Sequence, residues 1–186
     1  MREKRQLEIW LYIITDFIMS LLAWAIFFVY RKNIVGPIDW QEILSDPNFI
    51  IGIIVIPLGW SFFYAFFGCY KDLYRLSRLT TLSRTLFLTL VGVVFLFFTL
   101  LIDDVIEGYR TYYSSFLTLF GLQFFLIATF RMIWLTRASR RLKAGKVTFN
   151  TIIIGGNQKA VELYNNIKSR EKGLGYKFLG FIDSNG

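Results

Sequence analysis

The sequence contains no histidine and a single cysteine, and these two shortages restrict the chemistry it can perform. Without histidine, Ser-His-Asp triads, Cys-His pairs and His-ligated metal sites are excluded. Cys69 can form neither an intramolecular disulfide nor a CxxC site, and it lies at the end of an apolar run. That position favours a small packing residue over a reactive thiol.

Charged residues are also scarce, at 18% of the chain, whereas 55% of the residues are hydrophobic. Soluble domains average about 25% charged and 45–50% apolar residues. The apolar excess lies in four runs, each long enough to cross a hydrocarbon core of about 30 Å as a helix. These runs cover residues 9–30, 49–70, 85–102 and 112–135. We therefore predict an α-helical membrane protein with four transmembrane helices within residues 1–146, the first of them uncleaved.

Basic residues are distributed unequally between the two sides that these spans define. Twelve lie before span one, between spans two and three, or within residues 136–146 after span four, whereas the other side receives only Arg31, Lys32 and Arg110. Lys and Arg concentrate on the cytoplasmic side of membrane proteins, so both termini are expected to be cytoplasmic. The same distribution accounts for much of the net charge of +8, which makes nucleic acid an unsuitable partner and the lipid bilayer the expected one.

The basic segment between spans two and three has two interpretations. Leu73, Leu76 and Leu79 recur every three residues among basic ones, which fits an amphipathic stretch that attracts lipid phosphates. An ordinary topology-setting loop is the favoured interpretation.

Two residues inside the spans are unusual. Asp16 lies well inside the first span, where a charge must be neutral, paired or turned towards the bundle interior. We favour a structural hydrogen bond to a neighbouring helix over a proton relay, because only Glu8 and Arg131 accompany Asp16, both near the cytoplasmic ends of the spans, whereas a transporter has several intramembrane charges. Pro57, inside the second span, predicts a kink.

Residues 147–186 change to a strand, glycine turn, helix, strand pattern, which predicts a truncated Rossmann-like βαβ unit. Gly155, Gly156 and Asn157 form the turn, and Asp183 follows the second strand. Glycines let the backbone approach a phosphate, and an acidic residue after the second strand can bind a ribose hydroxyl. Because Asn157 replaces the second glycine of the usual fingerprint, a purely structural βαβ unit is favoured over nucleotide binding.

Several motifs occur together in one order: four spans, a basic loop after Phe67-Gly-Cys-Tyr70, the stretch 151–157 (TIIIGGN) and the stretch 173–183 (GLGYKFLGFID). In this order they resemble the N-terminal part of bacterial polyprenyl glycosylphosphotransferases, which begin exopolysaccharide synthesis on undecaprenyl phosphate. The resemblance implies a bacterial inner-membrane location, undecaprenyl-phosphate pathway enzymes as partners and a homo-oligomer. In that family a further C-terminal domain uses Mg²⁺ and an acidic pair to transfer sugar 1-phosphate from a UDP-sugar.

No segment of this chain matches that catalytic domain, so we predict no catalytic residue, no metal site and no cofactor here. The chain is expected to be the non-catalytic front part of such an enzyme, inactive alone. Membrane-bound nucleotide-sugar dehydratases share the same front end and are one alternative. A small transporter or structural membrane protein is another.

Overall fold

The computed structural model describes residues 2–37, 39–71, 73–101, 109–155, 157–169 and 175–182. The protein is mostly helical, with a small sheet, and it divides into two compact units, Met1–Trp134 and Leu135–Gly186. The elements in chain order are α1 (Arg2–Val35), α2 (Trp40–Ser45), α3 (Pro47–Phe66), a 3-10 turn (Leu73–Arg75), α4 (Arg78–Leu96), a π-helical turn (Phe97–Leu101), α5 (Tyr109–Lys143), β1 (Phe149–Ile154), α6 (Gln158–Lys168) and β2 (Tyr176–Ile182).

Four helices are long and apolar enough to cross a membrane: α1, α3, α4 and α5. Their number agrees with the sequence prediction, but their bounds differ. Helix α3 ends at Phe66 rather than at residue 70, because Gly68 adopts φ +67° and the Cys69 amide donates to the Tyr64 carbonyl. Helix α4 begins at Arg78 rather than near residue 85. The predicted end of the third span, residue 102, lies outside the described residues.

Consecutive long helices pack antiparallel in the first unit. Phe28 of α1 packs on Phe49 of α3, and Tyr12 packs on Tyr70 beyond the other end of α3. Tyr64 of α3 meets Thr89 of α4, and Phe97 packs on Phe116 of α5. Tyr30 and Trp134 link α1 to α5 at opposite ends, to Ser114 and Thr15 respectively. The bundle is therefore up-down-up-down.

Two tryptophans seat their indole rings over glycines of the next helix. A Cβ added to Gly52 would overlap the Trp24 ring, and one added to Gly92 would overlap the Trp60 ring. Both rings are buried in the main hydrophobic cluster. Glycine at these two positions lets large aromatic side chains fill the space between helices.

The connection between α1 and α3 is fixed by charge. Lys32 near the end of α1 binds Glu42 at 3.1 Å and Asp46 at 2.9 Å. Asp46 also caps α3, accepting from the Asn48 amide at 2.9 Å, so one carboxylate connects two helices. The ammonium of Lys32, donating to Asp46, holds the pKa of that carboxyl below its usual range.

The basic segment after α3 does not form one amphipathic helix. Leu73 is buried in the 3-10 turn, whereas Leu79 is exposed in the first turn of α4. The three-residue leucine repeat therefore does not form one helix face, because Leu73 lies in the 3-10 turn and Leu79 lies in α4. The Tyr74 hydroxyl donates to the Glu8 carboxylate and ties this segment to the start of α1.

In the second unit, β1 and β2 pair directly and in parallel, and α6 lies between them in the chain, as the βαβ prediction requires. Tyr164 of α6 packs edge-on against Phe178 and Phe181 of β2. Gly175 adopts φ +75° just before β2, and a side chain there would overlap Leu142. Tyr164 therefore packs α6 onto β2.

Candidate functional site

The most distinctive site in the described structure is a buried ion pair between Asp16 of α1 and Arg131 of α5. Each residue is 1% exposed. The Arg131 Nη2 donates to Asp16 Oδ2 at 2.7 Å, and Nε donates to the same oxygen at 3.1 Å. The Nε atom also lies 3.4 Å from Asp16 Oδ1, so the guanidinium contacts both carboxylate oxygens. Hydrogen bonds between two charged groups are roughly twice as strong as neutral ones.

The remaining faces of the Arg131 guanidinium are also occupied. Its Nη1 donates to the Thr85 hydroxyl of α4 at 2.7 Å, and that hydroxyl donates to the Thr81 carbonyl at 2.7 Å. The guanidinium carbon lies 4.2 Å from the ring centroid of Tyr64 in α3, a cation–π contact. From α5, Arg131 therefore contacts each of the other three long helices.

Helical spacing explains why these groups meet. Asp16 and Ser20 lie one turn apart on α1, and Thr81, Thr85 and Thr89 lie one turn apart on α4. Each set occupies a single helix face, and every member is buried. Polar side chains at four-residue spacing in an apolar helix thus form a stripe that faces the bundle interior.

The polar stripes continue along the bundle. Gln123, two turns before Arg131 on α5, donates to Ser20 at 2.9 Å, and the Tyr64 and Thr89 hydroxyls hydrogen-bond at 3.2 Å. We call Asp16, Ser20, Tyr64, Thr85, Thr89, Gln123 and Arg131 the polar column. In lipid, burying apolar side chains between helices does not drive their association, and hydrogen bonds between helices contribute to it instead.

Tyr70 and Cys69 lie beside the column just beyond α3. The Tyr70 ring packs edge-on against Tyr12 at 5.9 Å between centroids. Burial raises the pKa of Tyr70, and the nearby Asp16 carboxylate raises it further. Burial also raises the pKa of the Cys69 thiol, which agrees with a packing role rather than a reactive one.

Asp16 thus makes the hydrogen bond to a neighbouring helix that the sequence analysis favours. From the sequence, Arg131 is recognised as a charge near the end of a span but not as the partner of Asp16. Thr85 and Tyr64 are not recognised as contacts of Arg131 at all. The threonine repeat on α4 was a usable signal, because three threonines at four-residue spacing, across the start of the apolar run, mark one helix face. In the column the two buried charges, Asp16 and Arg131, pair with each other, and Thr85 accepts a further hydrogen bond from Arg131. Such an arrangement suits a role in holding the helices in register.

The glycine turn of the second unit forms a tight helix start. The Asn157 side chain accepts from the Ala160 amide at 3.1 Å and caps α6. Gly155 adopts φ +134°, and a Cβ there would lie 3.7 Å from the Ala160 Cβ. The Gly155 amide donates to the Ile182 carbonyl of β2 at 2.8 Å. Both the cap and the amide are therefore used within the unit itself.

Gly156 and Asp183, the other two predicted nucleotide-binding residues, lie outside the described residues. The turn consequently contributes Gly155 and Asn157 in a structural role, and nucleotide binding stays a prediction. Within the described part of the chain, no group of three His, Cys, Asp or Glu side chains is placed to hold a metal ion.

No protein-family model, curated protein or solved structure matches this chain.

Proposed function

We propose that this chain is the non-catalytic membrane module of a bacterial sugar transferase that moves sugar 1-phosphate from a UDP-sugar to undecaprenyl phosphate. In this proposal the four helices anchor the protein in the inner membrane with both ends cytoplasmic. The βαβ unit begins a cytoplasmic domain, and pathway enzymes or a second copy of the chain are its partners. The basis is the order of motifs that resembles the polyprenyl glycosylphosphotransferases.

The polar column is the structural observation that supports a scaffold role. Arg131 is engaged by Asp16, Thr85 and Tyr64, so its charge is compensated inside the bundle. Intramembrane charges in transporters line substrate or ion pathways, and coupling sites there occur with broken helices. A column whose groups bind each other serves assembly instead, and this favours a module that holds a membrane domain together.

The gene beyond the codon for Gly186 provides the first test. A reading frame that continues into a phosphoglycosyl transferase domain would support the proposal. A dehydratase domain, or a stop codon directly after Gly186, would count against it.

A biochemical assay provides the second test. The purified 186-residue chain, reconstituted with UDP-sugars, undecaprenyl phosphate and Mg²⁺, is expected to form no lipid-linked sugar. Product in this assay would overturn the non-catalytic assignment. Solute transport by vesicles that contain only this chain would instead indicate a transporter.

A further inference from the structure

Two arginines lie at the same depth in the bundle and have opposite surroundings. Arg131 donates to Thr85, and Arg84 is the residue immediately before Thr85 on α4. Arg131 is enclosed and paired with Asp16, whereas Arg84 is exposed and forms no ion pair with any residue that the structure describes. Two neighbouring positions on α4 therefore have different surroundings: Thr85 contacts a buried cation, and Arg84 is itself an exposed one.

The surface around Arg84 is otherwise suited to hydrocarbon. Thr80, Arg84, Phe87 and Val91 recur at four- and three-residue spacing and are all exposed; we call them the α4 strip. Phe87 is 63% exposed and Val91 is 41% exposed. In a bilayer this apolar part of the strip contacts acyl chains, so the partner at Arg84 is a membrane component.

The length of the Arg84 side chain lets its guanidinium reach the headgroup layer of the membrane. Arg84 lies six residues after Arg78, the first residue of α4, which is about 9 Å along the helix axis. A long basic side chain this close to a helix end extends towards the headgroups. Thr80 is also exposed and lies one turn nearer the helix start, and its hydroxyl is a further hydrogen-bond donor.

We propose that Arg84 and Thr80, which lie one turn apart on the same exposed face of α4, form a contact site for the phosphate of an anionic lipid headgroup. Guanidinium and hydroxyl groups are donors that suit phosphate oxygens. The lipid phosphate is then the counterion of Arg84, as the Asp16 carboxylate is the counterion of Arg131. This inference rests on the membrane insertion that the proposed function includes, and it adds a specific lipid preference.

Spin-labelled lipids can measure the preference. The full chain is reconstituted in phosphatidylcholine, and the association of spin-labelled phosphatidylglycerol is compared with that of spin-labelled phosphatidylcholine. Removing one basic residue near a membrane surface weakens anionic-lipid attraction about fivefold. Arg84→Gln is therefore expected to lower the phosphatidylglycerol preference about fivefold, whereas Arg84→Lys retains most of it.

Arg110→Gln is the matched control, because Arg110 is an exposed arginine at the start of α5, at the other end of the bundle. It removes the same charge at the other membrane surface and measures the non-specific loss, so the preference is expected to fall less than in Arg84→Gln. An equal loss in both variants, or no loss in Arg84→Gln, would overturn the proposal. Displacement of the labelled lipid by millimolar inorganic phosphate would assign the site to soluble phosphate and overturn it too.

A second measurement avoids dependence on the folding of a variant. Phosphatidylglycerol with a photoreactive headgroup should crosslink to the wild-type chain within the first turns of α4. Crosslinks confined to other helices would contradict the proposal. If the chain inserts into vesicles but shows no lipid preference, this inference fails while the proposed function stands.

Discussion

Arg131 and Asp16 are separated by 115 residues and hydrogen-bond at 2.7 Å inside the bundle. The contact joins the first and last long helices, and through Thr85 and Tyr64 it includes the two between them. A buried pair of this kind is costly to break, because either partner alone is an uncompensated charge. Its contribution to the bundle is therefore testable by single and double substitution.

Asp16→Asn leaves the Arg131 guanidinium buried without a counterion. We expect the free energy of unfolding to fall by about 3–5 kcal/mol. The measurement is thermal or denaturant unfolding of the reconstituted chain, followed by circular dichroism. The double variant Asp16→Leu with Arg131→Met removes both charges and should be closer to wild type than either single variant. A double variant as unstable as the sum of the singles would contradict the pairing.

The glycines of α3 and α4 offer a matched comparison. Gly92 lies against the Trp60 ring, whereas nothing lies within 4 Å of the Cβ position of Gly59. Gly92→Ala should destabilise the bundle by about 1–3 kcal/mol through overpacking. Gly59→Ala should be neutral or stabilising by up to about 1 kcal/mol, because alanine favours the helix. Unfolding midpoints of the two variants distinguish these outcomes, and equal effects would show that Trp60 does not pack against Gly92.

Asp46 gives the α1–α3 connection a pH dependence. Its pKa is lowered in the folded protein by Lys32, so its contribution to stability is present above its ordinary pKa of about 3.9. That contribution is lost as the pH falls through the lowered pKa. Asp46→Asn keeps a capping side chain but removes the charge, so its midpoint should lie below wild type at pH 7 and converge with it in acid.

Glu42→Gln is the control for this comparison. Its carboxylate also binds Lys32, but the Glu42 side chain is 67% exposed, and exposed ion pairs contribute little. A difference between wild type and Asp46→Asn that stays constant from pH 7 into acid would contradict the role of the Asp46 charge.

Asn157 should matter for the second unit through its cap on α6. Asn157→Ala removes the acceptor of the Ala160 amide and should destabilise this unit by about 1 kcal/mol, whereas Asn157→Asp retains the cap. Hydrogen exchange of the α6 amides in the full chain measures the effect. Equal protection in wild type and Asn157→Ala would show that the cap contributes nothing.

The four long helices and the βαβ unit were predictable because they depend on local patterns. Apolar runs in the sequence indicate helices α1 and α3, and Gly155 and Asn157 indicate the turn before α6. The start of α4 was not predictable from its apolar run, because residues 78–84 are helical without being apolar. The partner of Asp16 was not predictable either, since its identity depends on which helices pack together.

The side of the membrane on which each connection lies decides whether this chain is a membrane module with cytoplasmic termini. In a background with Cys69→Ala, single cysteines replace Gln41, in α2, and Lys146, after α5; both positions are exposed. A membrane-impermeant maleimide is applied to intact spheroplasts and, separately, after lysis. We predict that position 41 is labelled in intact spheroplasts and position 146 only after lysis. Labelling of both positions in intact cells, or of neither, would contradict a membrane module with cytoplasmic termini.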